Sequence, residues 1–231
     1  MIVFAIAGLL FVGSAITSKG NDLRQDKPNQ LRDLVHQQQE SVKKLTRQAT
    51  ALRVQIDHLS NQAGVPELDA AQATAKALAP AAGFTPVTGQ GVTVTLTDAP
   101  PPNSSLGQKV NPDDLLVHQQ DVESVMNALW HGGASAMTVQ GRRIISTSAP
   151  QCVGNVILVD GVVYSPPYVI AATGNPDKLH AALDAEPGIQ LFQEYVSLFG
   201  LGYEVADSPH MVIPPYVGSV NLQYAHLTPV N

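Results

Sequence analysis

The sequence predicts an α+β protein: a mostly antiparallel or mixed sheet with helices, preceded by a transmembrane helix and a long coiled-coil helix. Three observations lead to this fold class. The first eighteen residues carry no charged side chain, a seven-residue repeat follows, and the remainder interleaves short alternating strands with helices and hairpin signals. The expected parts are a transmembrane anchor over 1–18, a coiled-coil helix over 19–62, an Ala-rich helical connector over 63–89 and an α+β globular domain over 90–231.

The opening segment is apolar enough to be a membrane anchor. At a rise of 1.5 Å per residue, eighteen residues span roughly 27 Å, close to the lower limit for crossing a hydrocarbon core. A cleaved signal peptide is the alternative, because Gly13-Ser14-Ala15 resembles a cleavage site, but no basic residue precedes the apolar run. We therefore expect a retained single-pass anchor. Acidic and basic residues alternate after it, so charge alone does not decide the orientation.

The seven-residue repeat predicts a coiled coil and hence a homodimer. β-branched residues at the a positions with Leu at most d positions favour a parallel two-stranded assembly, and Gln38 is the polar position that sets the register. The alternative is a helix folded back on its own domain, which suits a 3.5-residue period less well than a partner helix does. The seam positions, spaced alternately by four and three residues, are Leu31, Val35, Gln38, Val42, Leu45, Ala49, Leu52, Ile56 and Leu59.

The charge distribution excludes nucleic-acid binding. Residues 1–89 carry nine basic and seven acidic side chains, a net charge of +2, whereas residues 90–231 carry four basic and twelve acidic side chains, a net charge of −8. An acidic domain with four cations cannot neutralise the phosphates that a nucleic acid presents. We expect protein partners and a membrane contact through the anchor.

The globular domain is predicted to begin near Gly89-Gln90-Gly91 with a strand over 92–96. A Pro-rich loop over 99–112 follows, and Asn111-Pro112 then begins a helix that ends near His131. Asp160-Gly161, between two apolar runs, is the strongest hairpin signal in the chain. The other predicted elements are strands over 136–139, 143–147, 156–159, 162–164, 168–172, 203–206 and 210–213, and helices over 175–183 and 189–198.

No pattern of catalytic or metal-binding residues is found. Nucleophile elbow, phosphate-loop and zinc-protease motifs are absent from the sequence, and none of the seven histidines pairs with another at helical ligand spacing. The paired carboxylates at 113–114 and at 121 and 123 fit helix capping. We therefore predict no catalytic, cofactor-binding or metal residues. Cys152 is expected as a small buried hydrophobe, with a reactive or intermolecular thiol as the alternative.

One polar cluster is a candidate interaction site. Two adjacent arginines are conspicuous in a domain with four cations, and three hydroxyl residues follow on the same predicted strand, where they could help to hold an anion or a partner carboxylate. The alternative is a salt bridge to the acidic surface, with the hydroxyls on a solvated face. In both cases the arginines are expected at the surface. The cluster consists of Arg142, Arg143, Ser146, Thr147 and Ser148.

Three motifs resemble the YlxW-like family of bacterial proteins, a domain of unknown function. The resemblance implies a single-pass anchor, a coiled coil and an extracytoplasmic α+β domain in a bacterium with a thick or mycolate-type envelope, and loosely a setting of cell division or sporulation. It implies no catalytic residues. The motifs are Asp121-Val122-Glu123-x-x-Met126-Asn127-Ala128-Leu129-Trp130-x-x-Gly133-Ala134-x-Ala136-Met137-x-Val139-x-Gly141-x-Arg143-Ile144 with Ser146-Thr147-Ser148, then Cys152-Val153-Gly154-Asn155, and Ser165-Pro166-Pro167-Tyr168-x-Ile170.

These observations together predict a non-enzymatic, membrane-anchored envelope protein. It would dimerise through the coiled coil and present its α+β domain to an unidentified envelope or cell-division protein. The alternative is an extracytoplasmic domain that binds a small ligand or acts as a sensor through the cationic cluster. A deep polar pocket would favour the alternative, and a flat apolar patch would favour protein interaction.

The membrane topology can be tested directly. A reporter enzyme fused after Asn231 should be active only outside the cytoplasm, because the anchor and the family resemblance together place the globular domain there. Extraction of membranes with carbonate should leave the protein in the pellet. Soluble, processed protein that begins at Ile16 would contradict a retained anchor and would support signal cleavage after Ala15.

Overall fold

The structure, a computed structural model, describes residues 26–63, 65–100, 111–218 and 220. Contacts divide the chain into one unit over 1–45 and a second over 46–231. Within the described ranges, no helix is both long enough and apolar enough to cross a membrane. The anchor predicted over 1–18 lies outside the described residues, as do the side chains of the seam residues Leu31 and Val35.

Two helices precede the sheet. Helix α1 extends over Asp26–Gln62 and helix α2 over Pro66–Leu78. A helix therefore covers most of the segment in which the seven-residue repeat lies. Pro66 occupies the start of α2, a position where its missing amide hydrogen breaks no helical hydrogen bond. After α2, the Phe84 amide donates to the Ala79 carbonyl at 2.8 Å and turns the chain toward the sheet.

The globular part is built on two antiparallel sheets. The first comprises β1 (Val87–Thr97), β2 (Ala136–Val139), β3 (Arg142–Arg143), β7 (Tyr168–Thr173) and β8 (Gly202–Ile213), and the second comprises β4 (Pro150–Val153), β5 (Val156–Val159) and β6 (Val162–Tyr164). The strand orders are β3-β2-β7-β1-β8 and β4-β5-β6. All pairings between the described strands are antiparallel, so the α+β prediction is confirmed.

Three helices pack together against the five-stranded sheet: α3 (Gln119–His131), α4 (Pro176–Ala185) and α5 (Pro187–Phe199). Buried and partly exposed residues alternate along β1, because successive strand residues point to opposite faces. This alternation gives the sheet one apolar face on which the helices pack. The inward positions are fully buried while the threonines between them are partly exposed. The core that results draws on both layers and includes Val92, Val94, Leu96, Val122, Val125, Leu129, Tyr168, Ile170, Leu179, Leu183 and Ile189.

A bulge in β8 interrupts its pairing with β1 at the glycines 89 and 91, where Pro209 and His210 of β8 lie opposite the single residue Gln90. The pairing of β1 with β8 shifts register between Gly89 and Gly91, and a Cβ on Gly91 would collide with the Ala172 carbonyl oxygen of the neighbouring strand β7. A bulge increases the local twist and bends the strand. The prediction of a strand over 92–96 that begins after these glycines was therefore too short, because the glycines here mark a bulge in the neighbouring strand and not a boundary.

Three further predictions about elements were wrong. The helix expected to begin at Asn111-Pro112 is a short 3-10 helix over Pro112–Leu115, and α3 starts later, where the Asp121 carboxylate accepts from the His118 amide at 2.7 Å. The two strands predicted over 203–206 and 210–213 are one strand, since Pro209 lies on an edge strand whose described residues pair only with β1. The strand predicted over 143–147 ends at Arg143.

The predicted hairpin at Asp160-Gly161 is confirmed, and Gln140-Gly141 forms a second one. Gln140 and Gly141 have φ values of 52° and 74°, and Asp160 and Gly161 have values of 48° and 78°. Two consecutive positive φ values are typical of a type I′ turn, whose twist matches that of the flanking strands. The first turn joins β2 to β3 and the second joins β5 to β6.

Tyr203 has a buried hydroxyl without a hydrogen-bond partner among the described residues. Its ring lies 6.3 Å from that of Phe192. Burial, with a smaller contribution from the negative charge of Asp184, raises the pKa of Tyr203 from 10.0 to about 12. The phenol is therefore more acidic in the unfolded chain than in the folded protein.

The Tyr203→Phe change should leave the free energy of unfolding unchanged or raise it by up to about 1 kcal/mol near neutral pH, because an unpaired buried hydroxyl contributes a desolvation penalty. Below pH 10 the stability linked to this phenol is fully present, and it is lost as the pH rises from 10.0 toward about 12. The advantage of the variant should therefore grow by up to about 1.4 kcal/mol per pH unit over that window.

Urea denaturation at a series of alkaline pH values measures this difference. Tyr195→Phe is the matched control, since it removes a hydroxyl from a half-buried ring on α5 whose neighbour is Phe199. If both variants gained stability equally at alkaline pH, the buried Tyr203 hydroxyl would not be the cause.

Candidate functional site

Arg143 is buried, contrary to the expectation that both arginines lie at the surface. Its side chain is 6% exposed, and Nη1 donates to the backbone carbonyls of Thr85 at 3.2 Å and Pro214 at 3.3 Å. Nε is buried and has no partner among the residues that the structure describes, and no described carboxylate lies within 4.0 Å of the guanidinium. Burial lowers the pKa of the Arg143 guanidinium, whose ordinary value is so high that it stays charged at neutral pH.

The strands β1 and β8 pair along their length and are called the β1–β8 ribbon below. The chain segments that flank this ribbon bring the two carbonyls together. Thr85 lies just before β1 and Pro214 just after β8, and the pairing of Val87 with Ile213 places the two chain segments side by side. The Tyr216 amide donates to the Gly83 carbonyl at 2.8 Å and extends the contact. Both acceptors are main-chain atoms that no side-chain pattern reveals, which explains why sequence reasoning missed them.

The three hydroxyl residues of the cluster do not share a strand with the arginines. Ser146 and Thr147 lie in an exposed turn after Arg143. Ser148 folds back, where its Oγ accepts from the Ile145 amide at 3.3 Å and donates to Asp160 Oδ2 at 3.2 Å. The turn replaces the predicted strand because Ser148 Oγ and the Ser148 amide bond locally to Ile145. Thr147 lies apart from the arginines in this arrangement.

Two cavities adjoin the arginines. The larger, of about 410 Å³, is lined by Arg143, Ser146, Ser135 and Trp130 together with the 80–83 segment. The smaller, of about 280 Å³, is lined by both arginines, Asp160 and residues 214–217. Arg143 therefore lies between two cavities, whereas half-buried Arg142 faces the second alone. Trp130, Ser135 and the 80–83 segment were not predicted as site residues.

The seam of α1 is exposed at its described positions except Val42, which is half-buried. Leu45, Leu52, Ile56 and Leu59 are 64%, 58%, 60% and 65% exposed in the single chain. On a helix, large apolar side chains at a and d positions with this exposure form a continuous apolar stripe. The coiled coil itself, which needs a second chain, stays a prediction.

Cys152 is exposed, so the prediction of a buried hydrophobe was wrong. It lies on β4, the edge strand of the small sheet, where its amide donates to Gln119 Oε1 at 3.0 Å. Its Sγ accepts from the Gln119 amide at 3.2 Å. Val153 beside Cys152 is also exposed, because β4 is at an edge of its sheet and no further described strand covers it.

A family model described as "Bacterial protein of unknown function (DUF881)" matches residues 74–226. The chain belongs to this family. The matched residues include the end of α2, both sheets, the buried Arg143 and its two carbonyl acceptors. The exposed seam of α1 lies before them, so the DUF881 match concerns the globular domain and says nothing about assembly.

Two curated relatives support the same assignment. The UPF0749 protein YlxW of Bacillus subtilis (strain 168) is 36% identical over 114 residues, which are 48% of this chain and 48% of that protein. The UPF0749 protein Rv1823 of Mycobacterium tuberculosis (strain ATCC 25618 / H37Rv) is 33% identical over 137 residues, 58% of this chain and 45% of that protein. The resemblance to YlxW-like proteins is thus confirmed. The chain spans about half the length of the curated relatives it matches.

A solved structure also resembles this DUF881 chain. It is described as "Crystal structure of an uncharacterized conserved protein from Mycobacterium tuberculosis", is 26% identical and aligns with a TM-score of 0.49 over 67% of this chain and 99% of that chain.

Arg143→Gln should lower the free energy of unfolding of this family member by about 1–3 kcal/mol, because the shorter side chain leaves two partly buried carbonyls unpaired. The matched control is Arg142→Gln, which removes the same charge from a half-buried neighbour and should cost about 0.5–1 kcal/mol. In thermal unfolding, each kcal/mol should correspond to roughly 2–4 °C for a domain of this size. Equal losses for the two variants would contradict the structural role of Arg143.

Proposed function

We propose that this chain is a non-enzymatic, membrane-anchored envelope protein that dimerises through α1 and presents its α+β domain to another protein of the envelope or of cell division. The exposed seam of α1 is the observation that carries the proposal. The anchor and the envelope setting rest on the apolar opening segment and on the family resemblance.

A comparison within α1 supports a partner helix as the occupant of the seam. Among the side chains of this helix that the structure describes, the exposed large apolar ones are Leu45, Leu52, Ile56 and Leu59 at seam positions and Val54 outside the seam. Four of these five therefore lie where the seven-residue repeat would bury them against a second helix. An ordinary surface helix directs its apolar stripe at its own core.

The size of the stripe indicates how strong the dimer would be. Burying a Leu or Ile side chain contributes about 1.5–3 kcal/mol when the side chain starts fully exposed. The described seam residues of two chains would then contribute roughly 10 kcal/mol, against an association cost of about 4–15 kcal/mol. The helix alone would thus form a weak dimer, and attachment to one membrane would strengthen it by raising the effective concentration.

The role of the seam can be tested with two variants that both replace exposed apolar side chains of α1 by aspartate. In a chain that begins at Lys19, Leu52→Asp combined with Ile56→Asp should convert dimer to monomer in sedimentation velocity, because buried unpaired charges at a and d positions oppose helix association. Val54→Asp is the control: Val54 is 64% exposed and lies off the seam, so this variant should remain dimeric.

Neither change should alter the thermal unfolding of the α+β domain, since the substituted side chains are exposed in the single chain. A chain that begins at Pro80 retains Gly83 and Thr85 and should be monomeric. If the Pro80 chain is itself a dimer, or if the double variant sediments like the parent, α1 does not mediate assembly.

A further inference from the structure

The larger cavity beside Arg143 has the composition of a small-ligand site. Its lining combines apolar and polar groups in similar measure, with Pro80, Ala81, Ala82 and Ile144 beside the polar groups of Ser135, Ser146 and Arg143. A volume of about 410 Å³ lies within the range of ligand pockets, which combine apolar walls with a few convergent polar groups. Although residues 90–231 carry twelve acidic side chains, none of them lines this cavity.

The unpaired edge of the guanidinium faces this cavity at Gly83. Both hydrogen bonds of Arg143 use Nη1, so Nε and Nη2 have no partner among the described residues. These two nitrogens lie 3.6 and 3.7 Å from the point where a Cβ on Gly83 would stand. Gly83 has a φ of +80° and lines the cavity, and without a Cβ it lets the Ile145 side chain pack beside this edge of the guanidinium.

Ile145 covers the same edge. Its Cγ2 lies 2.7 Å from the Cβ position of Gly83, and its side chain is half-buried. Nε is shielded from water by this arrangement. A ligand oxygen therefore reaches Nη2 first and Nε after the Ile145 side chain has turned aside.

The chemistry of the guanidinium selects the ligand. The Nε–Nη2 edge offers two parallel N–H donors, a geometry that matches the two oxygens of a carboxylate. A buried charge that has only neutral acceptors is poorly compensated, and a carboxylate would supply the missing opposite charge. One guanidinium balances a single negative charge, which fits a monocarboxylate better than a phosphate dianion.

We propose that this cavity binds a small monocarboxylate with an apolar body. The carboxylate pairs with the Nε–Nη2 edge of Arg143, and the body lies against Trp130 and the apolar wall formed by residues 80–82. Ser146 and Ser135 are exposed lining residues of the cavity. This binding site is independent of α1 and of the proposed dimer.

Trp130 provides the readout, because it is the single tryptophan of the chain, lines the cavity and is 40% exposed. The full chain is titrated with phenylacetate and, separately, with its neutral analogue phenylacetamide, while tryptophan fluorescence is recorded. Phenylacetate should give a saturable change, and phenylacetamide should bind at least about tenfold more weakly, since it lacks the charge that pairs with Arg143.

Two neighbouring substitutions separate cavity binding from contact elsewhere on the surface. Ser146→Phe places a ring in the cavity and should abolish the fluorescence change. Thr147→Phe is the matched control, since Thr147 belongs to the same exposed turn but does not line the cavity, and it should bind phenylacetate like the parent. Neither exposed side chain supports the core, so both variants should keep the parent melting temperature.

The role of the guanidinium edge is tested with Arg143→Lys, which keeps the charge but offers no planar pair of donors. Its affinity for phenylacetate should fall about tenfold or more, while Arg142→Gln should bind like the parent. Should Arg143→Lys fail to fold, the comparison of acid with amide and of Ser146→Phe with Thr147→Phe decides the outcome without it.

Three results would overturn the proposal: no saturation by phenylacetate below about 10 mM, equal affinities for acid and amide, or unchanged binding by Ser146→Phe. A fourth would reassign the site. If a short peptide with a glutamate side chain bound and phenylacetate did not, Arg143 would recognise a protein carboxylate. Sedimentation of the same samples reports the dimer separately, so loss of binding and loss of assembly are distinguishable.

Discussion

The bulge in β8 opposite Gln90 is the constraint on which the arrangement of the domain depends. Arg143 belongs to β3 at one edge of the five-stranded sheet, while Thr85 and Pro214 flank the β1–β8 ribbon at the other. The ribbon must therefore curl across the end of the sheet for one guanidinium to reach both carbonyls. A bulge supplies such a bend, and the close approach of Gly91 to the Ala172 carbonyl requires a residue without Cβ.

The curl encloses a positive charge that has no described carboxylate within 4.0 Å. Buried charges are usually paired with an opposite charge, because backbone carbonyls compensate only part of the lost hydration. The ion pair between Lys43 and Glu40 is the opposite case: it is short, at 2.7 Å, but exposed, and such pairs contribute less than about 1 kcal/mol. The buried Arg143, which has no described carboxylate beside it, therefore contributes more to this fold than the exposed ion pair does. Its unused donors leave it able to bind a further acceptor.

Periodicity and turn chemistry predicted much of the fold, and contacts between distant segments explain what they missed. The helices around Val125, Leu179 and Phe192 follow from apolar spacing, and the two type I′ turns follow from their glycines. The candidate site was predicted less well. Adjacent arginines at 142 and 143 look alike in sequence, yet one is half-buried and the other buried, because alternate strand residues face opposite sides and only one side is covered by the curled ribbon. The sequence did not indicate that Trp130 lines a cavity, since a tryptophan at the end of an amphipathic helix is equally compatible with a position in the core.

The side-by-side position of Thr85 and Pro214 also bears on how such a domain is inherited. Entry and exit of the chain lie next to each other, and the intervening segment closes its own core, which is the geometry that allows a domain to be inserted, exchanged or fused without repacking. The family match over residues 74–226 contains the whole of this segment, which fits a domain that can be transferred as one unit. In such a module, the sequence before Thr85 can diverge in length and pattern while the bulge, the ribbon and the buried guanidinium stay together as one unit.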